Sequence, residues 1–146
     1  TRSEAKVAEA KKQGADHVII STDKEQMKAA ADSFDFLLDT IPVAHDLNPY
    51  LKCLKYDGTH ILVGLLTPIE PALQAGLLVT KRRVVAGSLI GGMPETQEVL
   101  DFCAEHDITC DIEMLDIRNI NEAYVRMKKG DVKYRFVIDM KTLKEG

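Results

Sequence analysis

Apolar residues recur in short runs along this chain, separated by segments rich in helix formers. Glu4 to Gln13 is made of good helix formers and is followed by Gly14, a stop signal, so a helix is expected there. Its buried face is not sharply defined, because Ala5 and Ala8 fall on one side and Val7 and Ala10 on another. His17 to Ile20 predicts a short strand and Lys24 to Ala31 a second helix. Phe34 to Asp39 is almost continuously apolar, the pattern of a strand covered on both faces. Leu47, Leu51 and Leu54 repeat at helical spacing, Asp57-Gly58 predicts a turn, and His60 to Val63 a further buried strand.

The alternation continues to the end. Glu70 to Val79 reads as a helix, Arg83 to Ala86 as a strand and Gly87 to Pro94 as a glycine-rich loop. Glu95 to His106 reads as an amphipathic helix through Val99, Leu100, Phe102 and Cys103. Cys110 to Leu115 predicts a strand, Asn119 caps a helix that stops at Gly130, and Tyr134 to Asp139 is the last strand. Strands alternating with helices imply right-handed βαβ units, so the expected fold class is α/β with a mostly parallel sheet. In such sheets ligands bind beyond the carboxyl ends of the strands. That directs attention to Thr40 to Val43, Gly64 to Thr67 and Gly87 to Gly92; two of these loops contain glycine, which lets a ligand approach the backbone.

Composition narrows the function classes. The 146 residues suit one compact core, and 45% apolar with 29% charged residues is an ordinary globular balance. A net charge of −4 offers no basic field for nucleic acid, and Lys81-Arg82-Arg83 is too short to supply one. No apolar run is long enough to cross a bilayer and no signal peptide is visible, so no membrane partner is expected. Three cysteines, Cys53, Cys103 and Cys110, with no CxxC pair, favour a reducing, cytoplasmic setting over a disulfide scaffold. The chain starts at Thr1 and runs at once into a helical pattern, which suggests a shortened chain or one whose earlier part is missing.

Several stretches, in order, resemble the cinnamyl-alcohol-dehydrogenase-like branch of the zinc-type medium-chain dehydrogenases. They are Gly14-Ala15-Asp16-His17, Phe34-Asp35-Phe36-Leu37-Leu38-Asp39-Thr40, Leu54-Lys55-Tyr56-Asp57-Gly58 and Leu62-Val63-Gly64. Gly87-Ser88-Leu89-Ile90-Gly91-Gly92 and Gly130-Asp131-Val132-Lys133-Tyr134-Arg135-Phe136-Val137 follow. Each is weak alone, but the ordered set covers essentially the whole chain, and bacterial broad-range aldehyde reductases are the nearest likeness. The resemblance implies an incomplete Rossmann sheet, with residues 1–92 forming the later part of an NADP(H)-binding domain. Residues 93–146 would then form the C-terminal segment that returns to the catalytic domain. The first Rossmann strand, its GxGxxG-type turn and the family's zinc ligands are not in this sequence, and Cys53, Cys103 and Cys110 match none of those ligands.

By the same resemblance, Thr1, Arg2, Ser3 and Lys6 lie where the family recognises the adenosine ribose. NAD-specific sites hold an acid there, whereas hydroxyls and cations suit a 2′-phosphate and hence NADP(H). The plainer reading is a solvated helix start, and Glu4 would weaken a phosphate site. Thr40, Ile41 and Val43 would line the adenine side, and Val63, Gly64 and Leu65 would approach the nicotinamide. Ser88, Leu89 and Ile90 match a loop that holds the carboxamide and borders substrate, and Arg135 an arginine that reaches the pyrophosphate. Ordinary core or surface positions are the competing reading for each.

The remaining candidates are thin. Cys103, His106 and Cys110 lack a fourth soft ligand and straddle a helix end, and Cys103 is more simply a small buried hydrophobe. His17, His45 and His60 form no visible triad with the serines, so neither a catalytic nor a metal-binding residue is assigned. Leu77 to Ile90 includes an edge strand expected to pair with its copy in a homodimer, near Arg83 to Ile90. The expected function is an NADP(H)- and zinc-dependent alcohol dehydrogenase or aldehyde reductase, exchanging hydride between nicotinamide and a primary alcohol or aldehyde. Two alternatives stand beside it: a non-catalytic coenzyme-binding or dimerising piece, and part of a zinc-free quinone-reductase-like relative. A structural α/β domain without a cofactor would need the ordered resemblance to be coincidence.

Overall fold

A computed structural model of the chain describes residues 1, 4–64 and 67–144. The expectations for Arg2, Ser3 and Leu65 lie outside the described residues. The chain separates into two compact units, Thr1–Ile90 and Gly91–Gly146.

The first unit opens with a 3-10 turn, Glu4–Lys6, that runs into α1, Val7–Lys12, and the chain leaves it through Gly14 at φ +94°. Helix α2, Lys24–Ala29, starts where Asp23 accepts from the Glu25 and Gln26 amides at 2.9 and 3.1 Å, satisfying two otherwise orphaned donors. Strand β1, Phe34–Asp39, is followed by α3, Asn48–Cys53, with Pro49 in its first turn. Strand β2 is Leu54–Leu62, α4 is Ala75–Val79 and β3 is Val84–Gly87. The three strands form one sheet in the order β1-β2-β3, with both pairings parallel. Leu47, Leu51 and Leu54, predicted as one helical stripe, are fully buried and form the centre of the core.

Four local expectations are corrected. Residues 17–20 belong to no strand among the described residues; their neighbour there is Thr1, whose amine donates to the Ile19 carbonyl at 2.9 Å and whose carbonyl accepts from the Ser21 amide at 2.7 Å. The Asp57-Gly58 turn exists, with Asp57 at φ 60°, but as an irregularity within the longer β2, between its pairings with Phe34 and Phe36. The helix expected over Glu70 to Val79 keeps only its last turn, because Asn48 claims the rest. Asn48 donates to the Ala72 carbonyl at 3.2 Å and accepts the Gln74 amide at 2.8 Å, fixing a non-helical path. Strand β1 is not covered on both faces, since Phe36 and Leu38 are 56% and 60% exposed while Asp39 on the other face is buried.

A buried arginine ties the lower part of this unit together. The Arg83 guanidinium donates to the carbonyls of Leu54 and Leu77 at 2.9 and 3.1 Å and to the Asp32 carboxylate at 2.8 Å. It thereby anchors the start of β2 and the end of α4 to the turn after α2, a task for a planar multi-donor group.

The second unit contains α5, Met93–Glu105, β4, Ile112–Asp116, α6, Ile120–Lys129, and β5, Arg135–Asp139. Strands β4 and β5 pair in parallel. Helix α6 ends at Gly130 in the left-handed conformation, φ 69°, as its sequence requires. Asn119 stands at the N-cap without a side-chain cap bond; Asp116 caps the preceding 3-10 turn, Ile117–Asn119, instead. Arg126 joins α6 to Glu113 of β4 at 2.7 Å and packs over the Phe136 ring at 4.8 Å. Val99, Leu100 and Phe102 of α5, read as an apolar face, are exposed.

Candidate functional site

Register brings the three strand ends of the first unit to one level. Asp39 pairs with Leu62, and Leu62 with Gly87, so β1, β2 and β3 finish side by side. The following loops stay hydrogen-bonded past the ladder. The Val63 and Gly64 amides both donate to the Asp39 carbonyl, at 2.9 and 3.2 Å, and the Ser88 amide donates to the Leu62 carbonyl at 3.0 Å. Three loops are therefore held against one another at the edge where parallel sheets bind ligands.

Gly64 is what lets the first two loops meet. A Cβ there would stand 2.5 Å from the Thr40 carbonyl oxygen and 2.9 Å from the Ile41 carbonyl carbon, distances no side chain tolerates. Its smallness serves loop-to-loop contact, a different reason from the ligand approach expected of it.

Beneath these loops lies a polar cluster that inspection of the sequence gave no role. The Asp39 carboxylate is buried, and its Oδ1 accepts from the Ile41 amide at 2.9 Å. Its Oδ2 is 2.8 Å from His45 Nε2 and 3.0 Å from His60 Nε2. His45 Nδ1 in turn lies 2.8 Å from the Val43 carbonyl oxygen. The Tyr50 ring stands edge-on to both imidazoles, at 6.0 and 6.4 Å between centroids. Burial pushes the Asp39 carboxyl up, but the Ile41 amide and the two histidines together outweigh it and hold it below the ordinary carboxylate value. Asp39 ends an apolar run and His45 follows six residues later; an acid closing a buried strand with a histidine within loop reach was the available signal.

Among the predicted positions, Thr40, Ile41, Val43, Val63, Gly64 and Ser88 come together on the three strand-end loops. Ile41, Val43 and Val63 are 37%, 59% and 36% exposed, and Leu89 and Ile90 more so, at 71% and 90%. These are apolar side chains left facing outward at the edge of the sheet. Thr1 is exposed beside residues 19–21, and Lys6 is exposed at the N-cap of α1. Arg135 opens β5 in the second unit, where it is exposed. Among the described residues no group of three or more His, Cys, Asp or Glu is placed to hold a metal ion. No helix among them is long and apolar enough to cross a membrane.

Comparison with known proteins gives the family and the fold. Residues 1–105 match the family model described as zinc-binding dehydrogenase, so the chain belongs to that family. It is 53% identical over 143 residues to aldehyde reductase YahK of Escherichia coli (strain K12), covering 98% of this chain and 41% of that protein. It superimposes on a cinnamyl alcohol dehydrogenase of Sorghum bicolor, SbCAD4, with a TM-score of 0.86 and 41% identity, over 94% of this chain and 39% of that one. A cinnamyl alcohol dehydrogenase of Helicobacter pylori, solved in complex with NADP(H), aligns with a TM-score of 0.77 and 38% identity, over 97% and 40% of the two chains. The parallel α/β architecture is thus the Rossmann-like fold of the alcohol dehydrogenases. The chain spans about two fifths of the length of these relatives.

Proposed function

We propose that this chain forms the later half of the NADP(H) site, and the C-terminal return to the catalytic region, of an alcohol dehydrogenase or aldehyde reductase. The observation that carries this reading is the level meeting of three strand-end loops in the first unit, with apolar side chains and Ser88 facing out. That edge suits a flat heteroaromatic group flanked by backbone donors and acceptors.

In this reading Thr40, Ile41 and Val43 border the adenine, Val63, Gly64 and Leu65 approach the nicotinamide, and Ser88, Leu89 and Ile90 hold the carboxamide side and border substrate. Thr1, Arg2, Ser3 and Lys6 favour a ribose 2′-phosphate, and Arg135 reaches the pyrophosphate. When bound, the coenzyme supplies the hydride donor or acceptor for a primary alcohol or aldehyde. This chain's residues bind and orient it and keep water from its face. Zinc, whose ligands the resemblance puts outside this sequence, would supply a Lewis acid for the substrate oxygen in the whole protein. The free edge of β3, continued by Leu89 and Ile90, would extend the sheet through a two-fold copy.

The test is coenzyme titration by calorimetry. The 146-residue chain alone should bind NADPH more weakly than micromolar, because the phosphate turn is not in its sequence. The whole protein that carries this chain should prefer NADPH to NADH, and substitution of Arg2 and Lys6 by glutamate should reverse that preference. Micromolar binding by the chain alone, or an NADH preference in the whole protein, refutes the corresponding part of the reading.

A further inference from the structure

The hydrogen-bond inventory of the cluster under the first loop determines where its protons are. A backbone carbonyl can only accept, so His45 Nδ1, 2.8 Å from the Val43 oxygen, carries a hydrogen. His45 Nε2 faces Asp39 Oδ2 at 2.8 Å, and Asp39 already accepts the Ile41 amide and faces His60 Nε2. Held below the ordinary carboxylate value, Asp39 is ionised and can only accept, so a ring nitrogen 2.8 Å from it carries a hydrogen as well. His60 donates through Nε2, while its Nδ1 is buried with no hydrogen-bond partner among the described residues, as the bare nitrogen of a neutral ring.

We propose that His45 is a positioning residue, an imidazolium clamp that holds the loop Thr40 to Val43 in its coenzyme-binding shape, with Asp39 and His60 as its fixed base. One side of the ring grips the carbonyl of Val43, within the loop; the other grips the end of β1. The loop between, five residues from Thr40 to Ala44, is closed into a ring that has no other side-chain tie than the Asp39 contact to Ile41 among the hydrogen bonds described. The groups facing His45 are Asp39, His60 across that carboxylate, and the Tyr50 ring. Loss of either His45 hydrogen sets a lone pair against the Val43 oxygen or the Asp39 carboxylate, so the clamp holds only while both are present. The proposal rests on the coenzyme reading of this loop.

Two measurements on the whole protein that carries this chain test it. With 15N-labelled histidine at neutral pH, both His45 ring nitrogens should give protonated-type shifts, and His60 should be protonated at Nε2 alone. Replacing His45 by leucine removes both bonds, whereas glutamine keeps one donor for Asp39. The KM for NADPH should then rise roughly tenfold in H45L and by less in H45Q, the size expected for lost charge-assisted bonds. Turnover at saturating coenzyme should stay within about twofold of wild type, since no reacting atom is touched. A His45 ring protonated at one nitrogen, or an unchanged NADPH KM in H45Q and H45L together, overturns the proposal. If H45L does not fold, the glutamine variant and the ring-nitrogen shifts decide it. A wild-type protein that does not bind NADPH overturns the coenzyme reading and the clamp's purpose with it, while the shifts still judge the hydrogen-bond network.

Discussion

The two units of the chain carry similar apolar patterns and treat them differently. In the first, Leu47, Leu51 and Leu54 are completely buried, with Ile20, Ala30 and Cys53 packed nearby. In the second, Ala123 is the one buried hydrophobic among the described residues, while Val99, Leu100, Phe102, Met114, Val125 and Met127 are all more than half exposed. The difference is one of layers. Three parallel strands with α3 against β2, and α4 against α3, close a core, whereas the two-stranded β4-β5 pair has too little surface to cover its own helices. Periodicity chooses the element; burial needs a second layer, which among the described residues the first unit provides for itself.

Core truncation is the strongest way to break that contrast. Leu54→Ala should cost about 3 kcal/mol of unfolding free energy, through lost burial and a cavity that α3 and β2 cannot refill. Phe102→Ala should change it by about 0.5 kcal/mol or less, because that side chain is 55% exposed. Urea denaturation of both variants measures this, and equal costs would erase the distinction between the units.

Loop packing gives a smaller effect confined to the first unit. Gly64→Ala should cost about 2 kcal/mol, since the new methyl collides with the Thr40 carbonyl and one loop must move. Amide shifts in a heteronuclear spectrum should change at Thr40, Ile41 and Ser88 and not in α5 or α6. A change spread evenly over both units would show that the strand-end loops are not a separate rigid edge.

Acid titration should show the smallest difference. The Asp39 carboxyl is held below its ordinary value of 3.8, with the Ile41 amide and both histidines outweighing its burial. A lowered folded value means that its stabilisation is fully present above the unfolded value and is lost as pH falls through the folded one. Asp39→Asn should therefore flatten the fall in stability as pH drops through and below the ordinary carboxylate value of 3.8, seen as a shallower acid limb in unfolding free energy against pH. An unchanged acid limb would mean that the network contributes nothing at the end of β1.

Much of the fold was readable because its signals are local. Gly14 and Gly130 stop helices by their tolerance of positive φ, and the apolar runs at Phe34 and His60 became adjacent parallel strands. Contacts distant in sequence were not readable. Asn48 turned residues 72–74 away from a helix across a gap of some two dozen positions, and Arg83 found carbonyl partners near 30 residues upstream. Neither contact leaves a periodic trace. The strand-end loops follow from the parallel-sheet rule, but the Asp39, His45 and His60 cluster beneath them does not, because His60 lies 21 residues from the acid that closes β1 and meets it only through strand pairing.

The sequence by itself determined the order of elements, the parallel class of the sheet and the three loops at which to look. Those follow from side-chain period, glycine stops and the length of each connection, all of which act between neighbours on the chain. Only the tertiary structure decided that Asp39, Leu62 and Gly87 end at one level, that Gly64 is small for the sake of Thr40, and that one carboxylate serves two histidines. These depend on strand register and on side chains meeting in a buried place, where partners are set by distance in space and no residue's own preferences announce them.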